Sequence, residues 1–180
     1  MIETPRRATS AAFSFVQVLH FCTFAQGIAG LKDFFERAGE RARQAHVFGP
    51  IFIHGNILNC EAKDSAAEAY YRLTFDAGKL WVSLVTKDRW LSQSIEADLV
   101  HTGDKLEDLL AEELADQGHA GPAPAFEHFR SEEKDFTFRS AVPLDPSKLA
   151  EPAAAETAAK FVLAYEACFR RLGDMDATEE

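Results

Sequence analysis

The fold of this chain is decided between Tyr71 and Val85, where the sequence reads YRLTFDAGKLWVSLV. Its first half alternates apolar and polar side chains, and its second half resumes the alternation after the turn Asp76-Ala77-Gly78. A period of two is typical of a strand with one buried face, and Asp and Gly are typical turn residues. This stretch therefore predicts an antiparallel β-hairpin.

The segment before the hairpin predicts a helix followed by further strand structure. From Ile51 to Cys60 runs an apolar stretch broken by Gly55 and Asn56, which predicts a strand with a bulge or a tight bend. The dipeptide Gly49-Pro50 is expected to end the preceding helix. That helix is predicted from residues at helical spacing: Leu31, Phe34, Phe35, Ala38, Ala42 and Ala45.

The segment from Asp88 to Gly103 is ambiguous in its periodicity. Apolar and polar residues alternate over much of 91–99, which favours a strand or an extended loop, although Leu91, Ile95 and Leu99 are also four residues apart. We predict a strand or an extended loop. A second helix then follows, with Asp104 as its N-cap and Glu107 reaching back three residues later, and it ends at Gly118.

The last third of the chain predicts a second hairpin and a long helix. Strands are predicted at Phe126–Arg130 and Phe136–Val142, joined by the polar run 131–134. The helix opens at Pro146 or Pro152 and ends at Gly173. Together these elements predict an α+β fold: helix, β meander, helix, β hairpin, helix, with one sheet and the helices mainly on one face.

The chain divides into three parts. Residues 31–173 form the predicted domain, and 174–180 is an acidic tail with nothing to bury, expected to be disordered. Residues 1–30 are an apolar extension without a charge between Arg7 and Lys32, so a packed helix, an export signal and a membrane anchor all remain open. We expect a cytoplasmic protein, with export or tethering through residues 8–31 as the alternative. Membrane contact is expected only if that segment is an anchor.

The composition of the chain argues for a folded domain and against some classes of function. The 180 residues are 47% hydrophobic and include 15 Phe, which is enough for a real core. The net charge of −10 repels a phosphate backbone, so we expect no nucleic-acid partner. The three cysteines, Cys22, Cys60 and Cys168, have no CxxC spacing, which indicates small buried residues rather than a zinc site. Pairing of Cys60 with Cys168 stays open.

No recognisable catalytic or metal constellation is present, and we predict no catalytic residue, no metal and no cofactor. The histidines lack the i, i+3 or i, i+4 spacing that places ligands on one helical face. One alternative is kept, a small enzyme or ligand-binding domain with a pocket near residues 88–103. Its candidate residues are Arg89, Glu96, His101 and His128.

Apolar side chains on the sheet predict an interaction surface. Trp81 lies between Leu80 and Val82, so it points to the opposite face of the sheet, which Val85 and Tyr70 share. If helices cover one face only, these side chains need a second copy of the chain or another partner. We therefore expect a homodimer and a protein partner.

A second candidate anchor is the pair Arg89-Trp90. A tryptophan flanked by polar groups is typical of binding hot spots, and the alternative is a tryptophan packed into the edge of the core.

In element order, chain size and acidity, the stretch from Leu31 to Leu172 resembles the type III secretion chaperone-like fold, which the YbjN-like family shares. The closest textual similarity is Phe136-Thr137-Phe138 leading through Val142-Pro143-Leu144 into the last helix. The resemblance implies a non-enzymatic, often dimeric domain that holds extended or amphipathic segments of a partner. It carries over no individual functional residue.

Overall fold

The computed structural model describes the backbone of residues 14–176 and the side chains of residues 30–176. The helices of this part are α1 (Ser14–Ala45), α2 (Arg89–Thr102), α3 (Leu106–Asp116) and α4 (Pro152–Arg170). The strands are β1 (Phe48–His54), β2 (Ile57–Ala62), β3 (Ala69–Asp76), β4 (Lys79–Thr86), β5 (Glu127–Arg130) and β6 (Phe136–Val142). Short 3₁₀ helices lie at Pro146–Lys148 and Gly173–Met175.

The strands form one six-stranded antiparallel sheet in the order β1-β2-β3-β4-β6-β5. The helices pack against one face of it, which confirms the predicted α+β class. The predicted hairpin is β3–β4, with Tyr71 opposite Leu84 and Asp76 opposite Lys79. At its turn Ala77 and Gly78 have φ of 48° and 74°, the positive values that two-residue hairpin turns require.

The core lies between the sheet and the helices α1 and α4. Tyr71, Leu73 and Leu84 from the middle strands are buried there. The helices contribute Phe34, Phe35, Ala38 and Ala42 from α1, and Ala158, Phe161, Val162, Tyr165 and Phe169 from α4. The faces of α1 and α4 are thus those that the apolar spacing predicts.

The prediction for residues 91–99 is wrong, because they lie in α2 and not in a strand or loop. The spacing of four prevails over the alternation: Leu91 and Ile95 are buried on the inner face of the helix. Asp88 caps α2, since its side chain accepts a hydrogen bond of 2.7 Å from the Leu91 N–H.

The predicted capping box of the next helix is also wrong. The N-cap of α3 is Lys105, and no side chain caps it; the Asp104 N–H instead donates to Thr102 Oγ1. Asp104 thus belongs to the tight connection between two helices. Of the two prolines offered for the last helix, Pro152 opens α4.

In the N-terminal half of the sheet, the end of the first helix and the boundary between the first two strands differ from the prediction. α1 ends at Ala45, and Gly49-Pro50 lies inside β1, where an edge strand tolerates proline. The stretch from Ile51 to Cys60 is not one strand. It turns at Gly55, which has φ of 57°, and so supplies parts of β1 and β2.

The expectation that residues 174–180 have nothing to bury is wrong at the start of this tail. The tail is not without burial, because Met175 is 1% exposed and the Asp174 C=O accepts a hydrogen bond from the Ala66 N–H. At the other end, α1 is one continuous helix from Ser14 and crosses residue 30, and a helix is one of the alternatives predicted for residues 1–30. Residues 1–13 and 177–180 lie outside the described residues. Among those described, no helix has the length and apolar character needed to cross a membrane.

Candidate open-face site

The face of the sheet opposite the core carries the candidate site, and we call it the open face. Cross-strand pairing arranges its side chains in rows that run across the strands. The central row consists of Asn59, Arg72, Ser83, Arg139 and Glu127, each opposite the next on the neighbouring strand. Phe52 precedes Asn59 at the β1 edge. Polar groups therefore cross the middle of the open face from one side to the other.

Two arginines in the central row are held by neighbouring side chains. Arg72 Nε donates a hydrogen bond of 2.8 Å to Asn59 Oδ1. Arg139 Nε and Nη2 lie 2.7 and 2.6 Å from Glu127 Oε2. Ser83 separates the two arginines, and its small side chain leaves space between them.

The rows on either side consist mainly of aliphatic, aromatic and threonine side chains. One contains Tyr70, Val85, Thr137 and Phe129, and the other contains Ile57, Thr74, Trp81 and Ala141. The Arg139 guanidinium lies 4.1 Å from the centroid of the Trp81 ring and 4.7 Å from that of Phe129. Such cation–π contacts hold the aromatic rings and the central row together.

Two hollows indent the open face, one on each side of Arg72. The first hollow, of about 390 Å³, lies toward β1 and is bounded by Phe52, Tyr70 and Lys87. The second hollow, of about 440 Å³, lies toward β5 and is bounded by Trp81 and Phe129. Both share four lining residues: Ile57, Arg72, Val85 and Asp135.

The structure brings together three of the five predicted binding residues. Tyr70, Trp81 and Val85 share the open face, but they are less exposed than predicted. Val85 is only 5% exposed, and Trp81 is half-buried under Arg139. The Tyr70 hydroxyl donates to the Glu68 carboxylate, which raises the pKa of Tyr70. The surface is therefore a mixture of aromatic and polar groups rather than a continuous apolar patch.

The other two predicted binding residues lie elsewhere. Arg89 and Trp90 form the first turn of α2, and neither lines the two hollows. Trp90 is 74% exposed, so the alternative of a tryptophan packed into the core edge is wrong. It remains a separate exposed side chain.

The alternative pocket near residues 88–103 is not assembled by its four candidate residues. Only His128 and Glu96 meet, with Nε2 and Oε1 3.8 Å apart. The His128 ring stacks on Phe138 at 3.8 Å, and burial lowers the pKa of His128 against the opposing effect of Glu96. Arg89 and His101 are exposed in different turns of α2.

The two described cysteine thiols have low reactivity. Cys60 and Cys168 are free and buried, and burial raises the pKa of each to about 12. A thiol with such a pKa is almost entirely protonated at neutral pH and is a poor nucleophile. Residues 30–176 contain no group of three or more His, Cys, Asp or Glu side chains placed to hold a metal ion.

Sequence reasoning missed the polar centre of the open face. Arg72 and Ser83 follow from the alternation of the hairpin, because they have the same parity as Tyr70 and Trp81. Asp135 could not be found in this way. It lies in the turn before β6, and no periodicity indicates that this turn brings its carboxylate to the open face.

No family model, curated protein or solved structure matches this chain.

Proposed function

We propose that this protein is a non-enzymatic binding domain that holds an extended segment of a partner protein against the open face of its sheet. The observation that carries the proposal is the pair of hollows divided by Arg72. Their linings combine aromatic and aliphatic side chains with a few polar and charged ones, the mixture that binds side chains and fixes their orientation. Phe52, 45% exposed at the rim of the first hollow, is available for contact.

A segment of another protein fits this face better than a second copy does. Two copies of the open face would set hollow against hollow and would bring together chains that each carry a net charge of −10. A segment in extended conformation places successive side chains on alternate sides, so it can fill indentations while its main chain follows the polar row.

The resemblance to secretion chaperone-like domains supports the same kind of activity. Those domains hold extended or amphipathic segments, which is the role proposed for the open face. We place the protein in the cytoplasm, because two buried free thiols, Cys60 and Cys168, suit a reducing compartment.

The test is selection of random peptides on the intact chain, followed by affinity measurements on two variants. Phe52→Ala removes a rim side chain and Thr74→Arg places a bulky group in the second hollow, so each should weaken the selected peptide about tenfold or more. Val100→Ala, on the exposed side of α2, is the matched control and should leave affinity unchanged.

Two results would overturn the proposal. One is a failure to select any peptide whose affinity responds to Phe52→Ala or Thr74→Arg in folded protein. The other is sedimentation of the wild-type chain as a dimer that Thr74→Arg converts to a monomer, which would assign the open face to a second copy.

A further inference from the structure

We infer that Arg72 and Asp135 together recognise a primary carboxamide, the side-chain group of asparagine or glutamine, in the segment bound to the open face. The inference rests on the proposed function and adds to it the chemical identity of the side chain that enters between the two hollows. It depends on hydrogen-bonding groups that are left without partners at the centre of the face.

Arg72 has N–H groups that form no hydrogen bond in the described part of the chain. Its Nε is used by Asn59 Oδ1 at 2.8 Å, but its Nη1 lies 3.7 Å from Asp135 Oδ2, which is too far for a hydrogen bond. The guanidinium therefore faces the carboxylate without a direct bond to it. Arg72 lines both hollows.

The Asp135 carboxylate lacks a hydrogen-bond donor. Asp135 is 8% exposed, and its Oδ1 is buried with no hydrogen-bond partner in the described part of the chain. Its main chain is fixed, because its N–H donates to Ser131 Oγ and its C=O accepts from the Ser131 N–H. Oδ2, the oxygen on the Arg72 side, has no hydrogen bond to Arg72 either; a carboxylate short of donors is costly to bury, and the cost is reduced when a ligand brings an N–H group to Oδ2.

The terminal torsion of an aspartate is broad, so rotation about Cβ–Cγ exchanges the two carboxylate oxygens at little cost. Rotation always leaves one oxygen in the buried position and the other beside Arg72, so the oxygen beside Arg72 is the acceptor for a donor that arrives in the hollows. The side chain can respond to a ligand although its main chain cannot.

A carboxamide matches this arrangement because it presents an acceptor oxygen and an NH₂ donor side by side. The oxygen accepts from Arg72 while the NH₂ donates to Asp135. An ammonium group offers no acceptor and would lie against Arg72, whereas a carboxylate offers no donor and would lie against Asp135. Ile57 and Val85, shared by both hollows, provide apolar contact for the methylene groups of the entering side chain.

The first measurement is the composition of the selected peptides. Asparagine or glutamine should be enriched at one fixed position. Replacing that residue by the matched acid, or by leucine or methionine, should lower the affinity for the wild-type chain about tenfold or more, because a buried polar pair is left unsatisfied.

The second measurement is a change of specificity that a purely structural role would not produce. Asp135→Asn supplies an amide donor beside Arg72 and should make the chain prefer the acid-bearing peptide. Arg72→Met removes the cation beside Asp135 and should make it prefer the peptide with lysine at that position. The two variants change opposite members of the pair, so either one that folds provides the test.

The outcomes separate the inference from the proposed function. Peptides that bind at the open face with equal affinity whether they carry the amide, the acid or an apolar residue would overturn the carboxamide inference and leave the binding function standing. Failure of all peptides to respond to Phe52→Ala and Thr74→Arg would overturn both.

Discussion

A buried hydroxyl links the last helix to the sheet. Tyr165 of α4 is fully buried, and its hydroxyl donates a hydrogen bond of 2.7 Å to Ser140 Oγ of β6. Burial of a polar group is costly unless the group is paired, so this contact favours one position of α4 along the strand. The sequence shows Tyr165 as one member of an apolar stripe and does not indicate its partner.

We expect Tyr165→Phe to lower the free energy of unfolding by about 1 to 2 kcal/mol, because the Ser140 hydroxyl loses its buried partner. Chemical denaturation measures the change. Tyr70→Phe is the matched control: Tyr70 also donates to a side chain, that of exposed Glu68, so its change should stay below about 0.5 kcal/mol. Equal losses in the two variants would contradict the assignment.

Glu166 makes stability depend on pH. It is buried on α4 with Arg170 Nη1 at 3.4 Å, and burial raises its pKa above the ordinary value of 4.5 despite that arginine. The folded state therefore holds the Glu166 proton more tightly than the unfolded chain does. Its contribution is favourable at low pH and is lost as the pH rises through the raised pKa.

Glu166→Gln removes this titration. The variant should gain stability relative to the wild type as the pH increases from about 4.5 toward neutral. Urea denaturation at a series of pH values measures the difference between the two proteins. A difference that stays constant across the series would contradict the raised pKa.

At the scale of the elements, regular alternation and clear turns made much of the fold predictable. The β3–β4 hairpin and the strand Phe136–Val142 lie where the alternation predicts them. α2 could not be predicted, because its sequence satisfies both a period of two and a spacing of four. The tertiary environment decides: burial of Leu91 and Ile95 against the core favours the helix.

The caps of the two middle helices provide a direct comparison of sequence pattern and structure. Asp88→Ala should destabilise the protein by about 1 kcal/mol, because the Leu91 N–H loses its acceptor. Asp104→Ala should change stability by less than about 0.5 kcal/mol, since its side chain caps no helix. Thermal or chemical unfolding of the two variants measures both losses of stability. A larger loss for Asp104→Ala than for Asp88→Ala would contradict this order and would support the capping box predicted from the sequence.

At the scale of the whole molecule, the helices of the described residues pack on one face of the sheet and leave the open face to strand side chains. The sequence predicts which hairpin residues face outward, and so it finds Tyr70, Trp81 and Val85. It does not predict the polar centre, because the meeting of Arg72 with Asp135 depends on how the turn before β6 folds over the sheet. A contact between residues so far apart in the sequence leaves no pattern in the residues around either one.

The two tryptophans of the chain offer the most direct measurement, since Trp81 lines the second hollow and Trp90 is exposed on α2. Their indole N–H signals can be followed by NMR while a selected peptide is added, with Trp90→Phe providing the assignment. Binding at the open face predicts that the Trp81 signal shifts and saturates while the Trp90 signal stays in place. A saturating shift of Trp90 with Trp81 unchanged would contradict it and move the binding site to α2.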